Sequence, residues 1–167
     1  LTNGQEVTGM LDIQLICVGK LKERYYIEAA DEYIKRLGAY CRISVVEVAE
    51  TPLGKNPSDA EIAAALDQEY RRMKLPARSA VIALCIEGEK VDSRKFSEKI
   101  ADFASRGMSQ LTFIIGGSNG LSAELKRRAD LRLSMSDMTF PHHLARVMLL
   151  EQLYRAFTIL QGGKYHK

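Results

Sequence analysis

The sequence predicts an α/β fold with a mainly parallel sheet flanked by helices. Three observations carry this. Apolar, β-branched runs alternate with segments of helical spacing along the chain. Gly, Pro, Ser and Asn cluster between them, as turns require. Ala80–Ile86 is continuously apolar, which suits a strand buried on both faces of a parallel sheet.

The elements follow in order. Leu11–Val18 reads as the first strand and ends at Gly19. Lys22–Leu37 places Tyr26, Ala30, Tyr33 and Leu37 on one helical face, with Gly38 as the stop. Ile43–Val48 is the second strand, and Thr51–Pro57 is a loop carrying Pro52, Gly54 and Asn56. Ser58 and Glu61 form a capping box. The helix they open points Ile62, Leu66, Tyr70 and Met73 inward and stops before Pro76. The third strand, Ala80–Ile86, closes at Gly88. A helix over Asp92–Ser105 buries Phe96, Ile100 and Phe103, with Gly107 just beyond. Gln110–Ile115 is the fourth strand, Ser122–Ala129 a short helix capped by Ser122, and Leu131–Leu133 a short fifth strand. Pro141 opens the last helix, which runs to about Gln161. That helix is apolar nearly all round, from Leu144 and Val147 to Ile159 and Leu160, so several sides must be covered. A homodimer interface or a central core position would each do so.

The 167 residues suit one domain, residues 10–167. Residues 1–9 show no periodicity, basic n-region or apolar h-region, and read as an upstream or artificially added extension before Met10. No apolar run is long enough to cross a bilayer, so no membrane partner is expected. The net charge is +3, or +4 without the extension, whose only charge is Glu6. That permits a nucleic-acid partner without demanding one. Cys17, Cys41 and Cys85 are widely spaced in apolar stretches, as buried thiols of a reducing, cytoplasmic compartment would be. No Cys-x-x-Cys occurs, and no metal site is expected.

Two loops stand out. Gly116-Gly117-Ser-Asn-Gly120 and Ser134-Met-Ser-Asp-Met-Thr-Phe140 each follow an apolar strand and precede a helix, the position where α/β proteins bind ligands. The first is neither a dinucleotide fingerprint nor a P-loop, and reads either as a tight turn or as backbone that lets a flat ligand approach. The second can offer main-chain groups to an adenine edge, or simply hold the helix entry. His142 and His143 are adjacent on the helix and face apart, which disfavours a shared metal. Arg146 is one turn beyond His142 on the same face, and Glu151 and Arg155 form an i,i+4 pair. Lys164-Tyr-His-Lys167 combines cations, an aromatic ring and an imidazole, and is either a frayed end or a nucleotide contact. Lys20, Lys22 and Arg24 can extend a phosphate-binding rim.

Val18-Gly-Lys-Leu-Lys22, Ala83-Leu-Cys-Ile-Glu-Gly88, Phe113-Ile-Ile-Gly-Gly117, Gly120-Leu-Ser122 and Leu133-Ser-Met-Ser-Asp-Met-Thr-Phe-Pro-His142 occur in this order. Arg146, Glu151-Gln-Leu-Tyr-Arg-Ala156 and Tyr165-His166 follow. In this spacing the chain resembles the RlmH-type (YbeA-like) SPOUT methyltransferases from Met10 to Lys167. The resemblance implies a C-terminal deep trefoil knot and a homodimer built around it. It implies transfer of a methyl group from S-adenosylmethionine to N3 of a pseudouridine in 23S rRNA, on the assembled ribosome. By position, Leu84, Gly117, Ser136, Asp137, Met138, Thr139, Phe140 and Pro141 are the expected cofactor site. His142, Arg146, Tyr165 and His166 are expected at methyl transfer, and Tyr154 lies near them. Arg155 is expected to bind RNA, together with the cations Lys20, Lys22, Lys164 and Lys167. In this reading His142 or His166 takes the imide proton, and Arg146 or a tail lysine stabilises the anion. His143 departs from the family pattern. A non-catalytic ribosome-binding or assembly protein of the same fold, or a flavodoxin-like nucleotide-binding module, are the alternatives.

Overall fold

A computed structural model describes residues 10–166, so Lys167 and the proposed extension 1–9 lie outside the described residues. In chain order the elements are β1 (Leu11–Val18), α1 (Arg24–Leu37), β2 (Cys41–Val48), α2 (Asp59–Arg72) and β3 (Ala80–Lys90). They continue as α3 (Ser93–Ser105), β4 (Gln110–Ile115), α4 (Ala123–Arg128), β5 (Leu131–Ser134) and α5 (His142–Leu160). The five strands form one sheet in the order β2-β1-β4-β3-β5, every pairing parallel. The expected knot is compatible with this order.

Strand alternation builds two cores. Leu11, Ile13, Leu15 and Cys17 of β1 join Phe96, Ile100, Phe113, Leu149, Leu150 and Leu153 under α1, α3 and α5. Ile16 and Val18 face the other way, with Val81, Ala83, Ile114 and Leu125. Both faces of the central strands are therefore dry, which is why their sequences read as continuous apolar runs.

Several boundaries move, each for a local reason. α1 starts at Arg24, not Lys22, because the Glu47 carboxylate accepts the Leu21 amide at 2.7 Å and holds the preceding loop extended. β2 starts at Cys41 because the ladder with β1 begins there, opposite Leu11. The capping box at α2 is present, with Glu61 N donating to Ser58 Oγ at 3.1 Å and Ser58 N to Glu61 Oε1 at 3.3 Å. Ile62, Leu66 and Tyr70 are only half-buried, and the buried positions of α2 are Ala65 and Glu69. Glu69 sits inside because it accepts the Thr51 amide at 2.8 Å.

The larger change is in β3. Gly88 does not close the strand but lies within it, and β3 continues to Lys90 past a register shift between Leu84 and Glu89. A Cβ at Gly88 would stand 2.7 Å from backbone atoms of Arg132 and Leu133. Only glycine lets β5 pass so close.

α5 packs against α1 and α3, with Leu149, Leu150, Leu153, Ala156 and Phe157 buried. The core-helix reading accounts for that face. Leu144, Met148, Arg155 and Ile159 form a half-buried stripe along the outer face.

Candidate active site

The carboxyl ends of β3, β4 and β5 enclose a cavity of about 760 Å³. This is the size of a small-molecule or cofactor site. Its walls are the two loops singled out by the sequence. Gly117 and its turn form one side, and Ser136, Met138, Thr139, Phe140 and Pro141 form the other, with Leu84 at the base. His142, the first residue of α5, stands at its edge. Asp137 is not in the wall, because its carboxylate turns outward to Lys90.

The local chemistry explains these shapes. Gly120 N donates to Gly117 O at 3.1 Å, and Gly120 has φ +80°, so Gly117–Gly120 is a closed turn. A Cβ on Gly116 would collide with the Gly120 carbonyl, so the turn folds back onto bare backbone. A Cβ on Gly117 would meet the Glu50 carboxylate at 2.9 Å and Val18 at 3.3 Å. Opposite, Ser134 Oγ donates to Ser136 O, and Met138 N donates to Ser136 Oγ, both at 3.0 Å. These bonds shape the second loop without help from a helix. The lining therefore offers a glycine cradle, serine and threonine hydroxyls, two thioethers and Phe140. That set suits a ligand with an aromatic base and hydroxyl groups, such as a nucleoside-type cofactor. At the rim Lys126 pairs with Glu87, and this hydrogen bond holds the Glu87 carboxyl below its ordinary range.

Arg146 lies behind His142, only 4 % exposed. Its guanidinium donates to Glu47 Oε2 at 3.0 Å and to the Gly19 carbonyl at 3.2 Å. It faces these groups and does not line the cavity. Burial pushes the Glu47 carboxyl up, but the Leu21 amide and Arg146 outweigh it and hold it below the usual range. Burial, then the neighbouring His142, pushes the His143 imidazole down. The His143 ring lies tilted against that of His142, centroids 4.1 Å apart at 57°, so the two do not face apart as expected, and the His143 Nδ1 is buried with no hydrogen-bond partner among the described residues.

The tail is elsewhere. Tyr165 donates to Glu151 Oε1 at 3.2 Å, and Arg155 Nη1 lies 3.2 Å from His166 Nδ1. Arg155 also pairs with Glu151 and covers the Tyr165 ring at 4.8 Å. Burial first, then Tyr33 and Glu151, pushes the Tyr165 phenol up to about 12, so it stays a donor at neutral pH. From His142 to Arg155 is about 20 Å of helix. So within one chain Tyr165, His166 and Arg155 form their own cluster, apart from the cavity. Lys164 is exposed beside them, and Lys20 and Lys22 are exposed on the loop after β1.

Sequence reasoning passed over Glu47 and Glu50, and took Gly116 only as part of the glycine loop, not as a cofactor residue. Gly116 carried a signal in its place beside Gly117. Glu47 carried none, since its partner is 99 residues away.

Comparison with known proteins agrees with this geometry. Residues 11–166 match the family described as predicted SPOUT methyltransferases. A protein of Leuconostoc mesenteroides subsp. mesenteroides named ribosomal RNA large subunit methyltransferase H is 46% identical over 159 residues, which is 94% of this chain and 100% of that one. A protein of the same name from Listeria monocytogenes serotype 4a is 43% identical over the same spans. Among solved structures, a probable methyltransferase from Bordetella pertussis Tohama I aligns with a TM-score of 0.55 at 15% identity, over 87% of this chain and 93% of that one. A probable methylase family protein from Haemophilus influenzae Rd KW20 aligns with 0.53 at 15% identity, over 93% and 70%. These two speak for the fold. The sequence match runs from the first strand through the last helix and its tail, and on it the chain belongs to the SPOUT methyltransferase family.

Proposed function

We propose that this chain is a cytoplasmic homodimeric enzyme that methylates N3 of a pseudouridine in 23S rRNA of the assembled ribosome, using S-adenosylmethionine. The observation that carries the reading is the cavity at the ends of β3, β4 and β5, with His142 at its edge. Relatives named for large-subunit rRNA methylation, at up to 46% identity, support the substrate class.

S-adenosylmethionine supplies a methyl group already activated on a sulfonium. The chain has to hold the donor, align the acceptor nitrogen and exclude water. The Gly116–Gly120 turn and the Ser134–Phe140 loop hold the donor through backbone and hydroxyl groups. The N3–H of the base must lose its proton before attack, and His142 is positioned to accept it. Arg146 acts through position. Its bonds to Glu47 and Gly19 fix the first turns of α5, and with them His142. The cation for the developing imide anion comes from the tail, with Lys164 beside Tyr165 and His166. In one chain that cluster is too far away, so the partner's tail completes each site. The half-buried stripe Leu144, Met148, Arg155 and Ile159 is the surface on which the second copy packs.

The test is transfer of labelled methyl from S-adenosylmethionine to assembled ribosomes, isolated large subunits and naked rRNA, all lacking the modification. Label at N3 of a pseudouridine, in assembled ribosomes alone, is the expected result. No label in any sample, with the cofactor bound, would point to another substrate. No label and no binding would favour a non-catalytic ribosome-binding protein.

A further inference from the structure

We infer that Tyr25 is a stacking platform for an unpaired RNA base next to the methylated one, at the end of an aromatic ladder that leads into the cavity. The inference rests on the RNA substrate proposed above. Tyr25 is 65% exposed, although Tyr26 and Tyr33 on the same helix pack against the core. Its ring lies 4.5 Å from that of Tyr26, centroid to centroid, which braces it. Tyr26 is 6.4 Å from His143, and His143 is 4.1 Å from His142, which lines the cavity edge. Four rings thus run in sequence from solvent to the candidate methyl-transfer position.

The charges beside the ladder select the occupant. Lys20 and Lys22 are exposed, and neither is in an ion pair among the described residues. Arg24 pairs with Glu28 at 2.9 Å. The Glu23 carboxylate, one oxygen of which is buried, also faces Tyr25 and His143. One exposed ring with two unpaired lysines on the preceding loop still suits single-stranded RNA, whose bases stack while its phosphates meet the lysines. Continuity with His142 places this track where a base flanking the target would lie. A ring used only for packing would be at least half-buried, as Tyr26 is. Stacking is tolerant of base identity, so the platform contributes affinity and placement more than sequence reading.

The experiment compares the unaltered protein with Tyr25→Ala and Tyr25→Trp, using assembled ribosomes that lack the modification. Tyr25→Ala is expected to raise KM for ribosomes about tenfold, the loss of one base–aromatic stack. Its kcat and affinity for S-adenosylmethionine should stay within twofold of the unaltered protein, and its sedimentation mass should be the same. Tyr25→Trp should keep KM near the original. It also adds the sole tryptophan of a chain that has none, whose emission a ten-residue oligouridylate should quench. An unchanged KM in Tyr25→Ala would overturn the inference. So would a change in sedimentation mass or cofactor affinity, which would assign Tyr25 to an interface or to the fold. If the unaltered protein transfers no label to ribosomes, the substrate reading fails and the platform fails with it.

Discussion

Arg146 of α5 reaches back across the molecule to Glu47 of β2, Nη1 to Oε2 at 3.0 Å. The same carboxylate oxygen accepts the Leu21 amide at 2.7 Å, and the guanidinium also donates to Gly19 O. One ion pair therefore joins β2, the loop after β1 and the start of the last helix. Gly19 has φ +92°, and a Cβ there would lie 3.8 Å from His142 Nε2. The pair sets where His142 stands relative to the end of β1.

Glu47→Gln leaves the buried Arg146 charge with only a carbonyl and a neutral amide. The expected loss of stability is about 1–3 kcal/mol at pH 7, measured by urea unfolding. The folded-state pKa of Glu47 is lowered, so its contribution is present above the unfolded carboxylate value. It is lost as pH falls through the lower folded value. The gap between the two proteins should therefore be constant near neutrality and close below about pH 4.5. A gap that does not narrow at all as pH falls below about 4.5 would show that the charge is not its source.

Gly116→Ala and Gly117→Ala should differ sharply. At Gly116 the new methyl meets the backbone of Gly120, which cannot yield without opening the turn. At Gly117 it meets chiefly the end of the exposed Glu50 side chain, which can swing away. Gly116→Ala is expected to cost about 1–3 kcal/mol, and to weaken S-adenosylmethionine binding at least tenfold in calorimetry. Gly117→Ala should stay within about threefold in affinity, a shift below 1 kcal/mol. Equal effects would mean that the turn does not form the cavity wall.

Much of this was legible in the sequence, because local chemistry decides it. The capping box at Ser58 and Glu61, the cap at Ser122 and the apolar run at Ala80 each depend on residues close in sequence. The two cavity loops were visible for the same reason. Glu47 and Gly88 were harder because their meaning depends on distant partners. A glutamate in an alternating strand looks solvated until Arg146 is found beside it. The tail of Tyr165 and His166 was readable as chemistry but not as a location, since folding carries it along α5 and away from its own cavity.

Gly88→Ala tests the reach of β3 beyond its apolar run. The methyl would press on the backbone of Arg132 and Leu133, and neither strand can move without breaking the ladder at Leu133 and Ser134. The expected cost is about 1–3 kcal/mol or more. The loop from Ser134 should loosen with it, seen as faster amide exchange at Met135–Phe140. A variant as stable as the original would show that β5 does not run against Gly88.

Removal of residues 164–167 tests whether the tail acts on the partner's site. Tyr165 and His166 are bound to Glu151 and Arg155, which lie about 14 and 20 Å along α5 from His142 of the same chain. The shortened chain should therefore bind S-adenosylmethionine normally and lose turnover at least a hundredfold. His142→Ala should be equally slow. Mixed and allowed to exchange, the two defective chains form heterodimers in which one site has both His142 and a tail. Random pairing makes half the dimers mixed, each with one intact site in two, so about a quarter of full activity should return. No recovery, with exchange confirmed by native mass spectrometry, would mean that each tail serves its own chain.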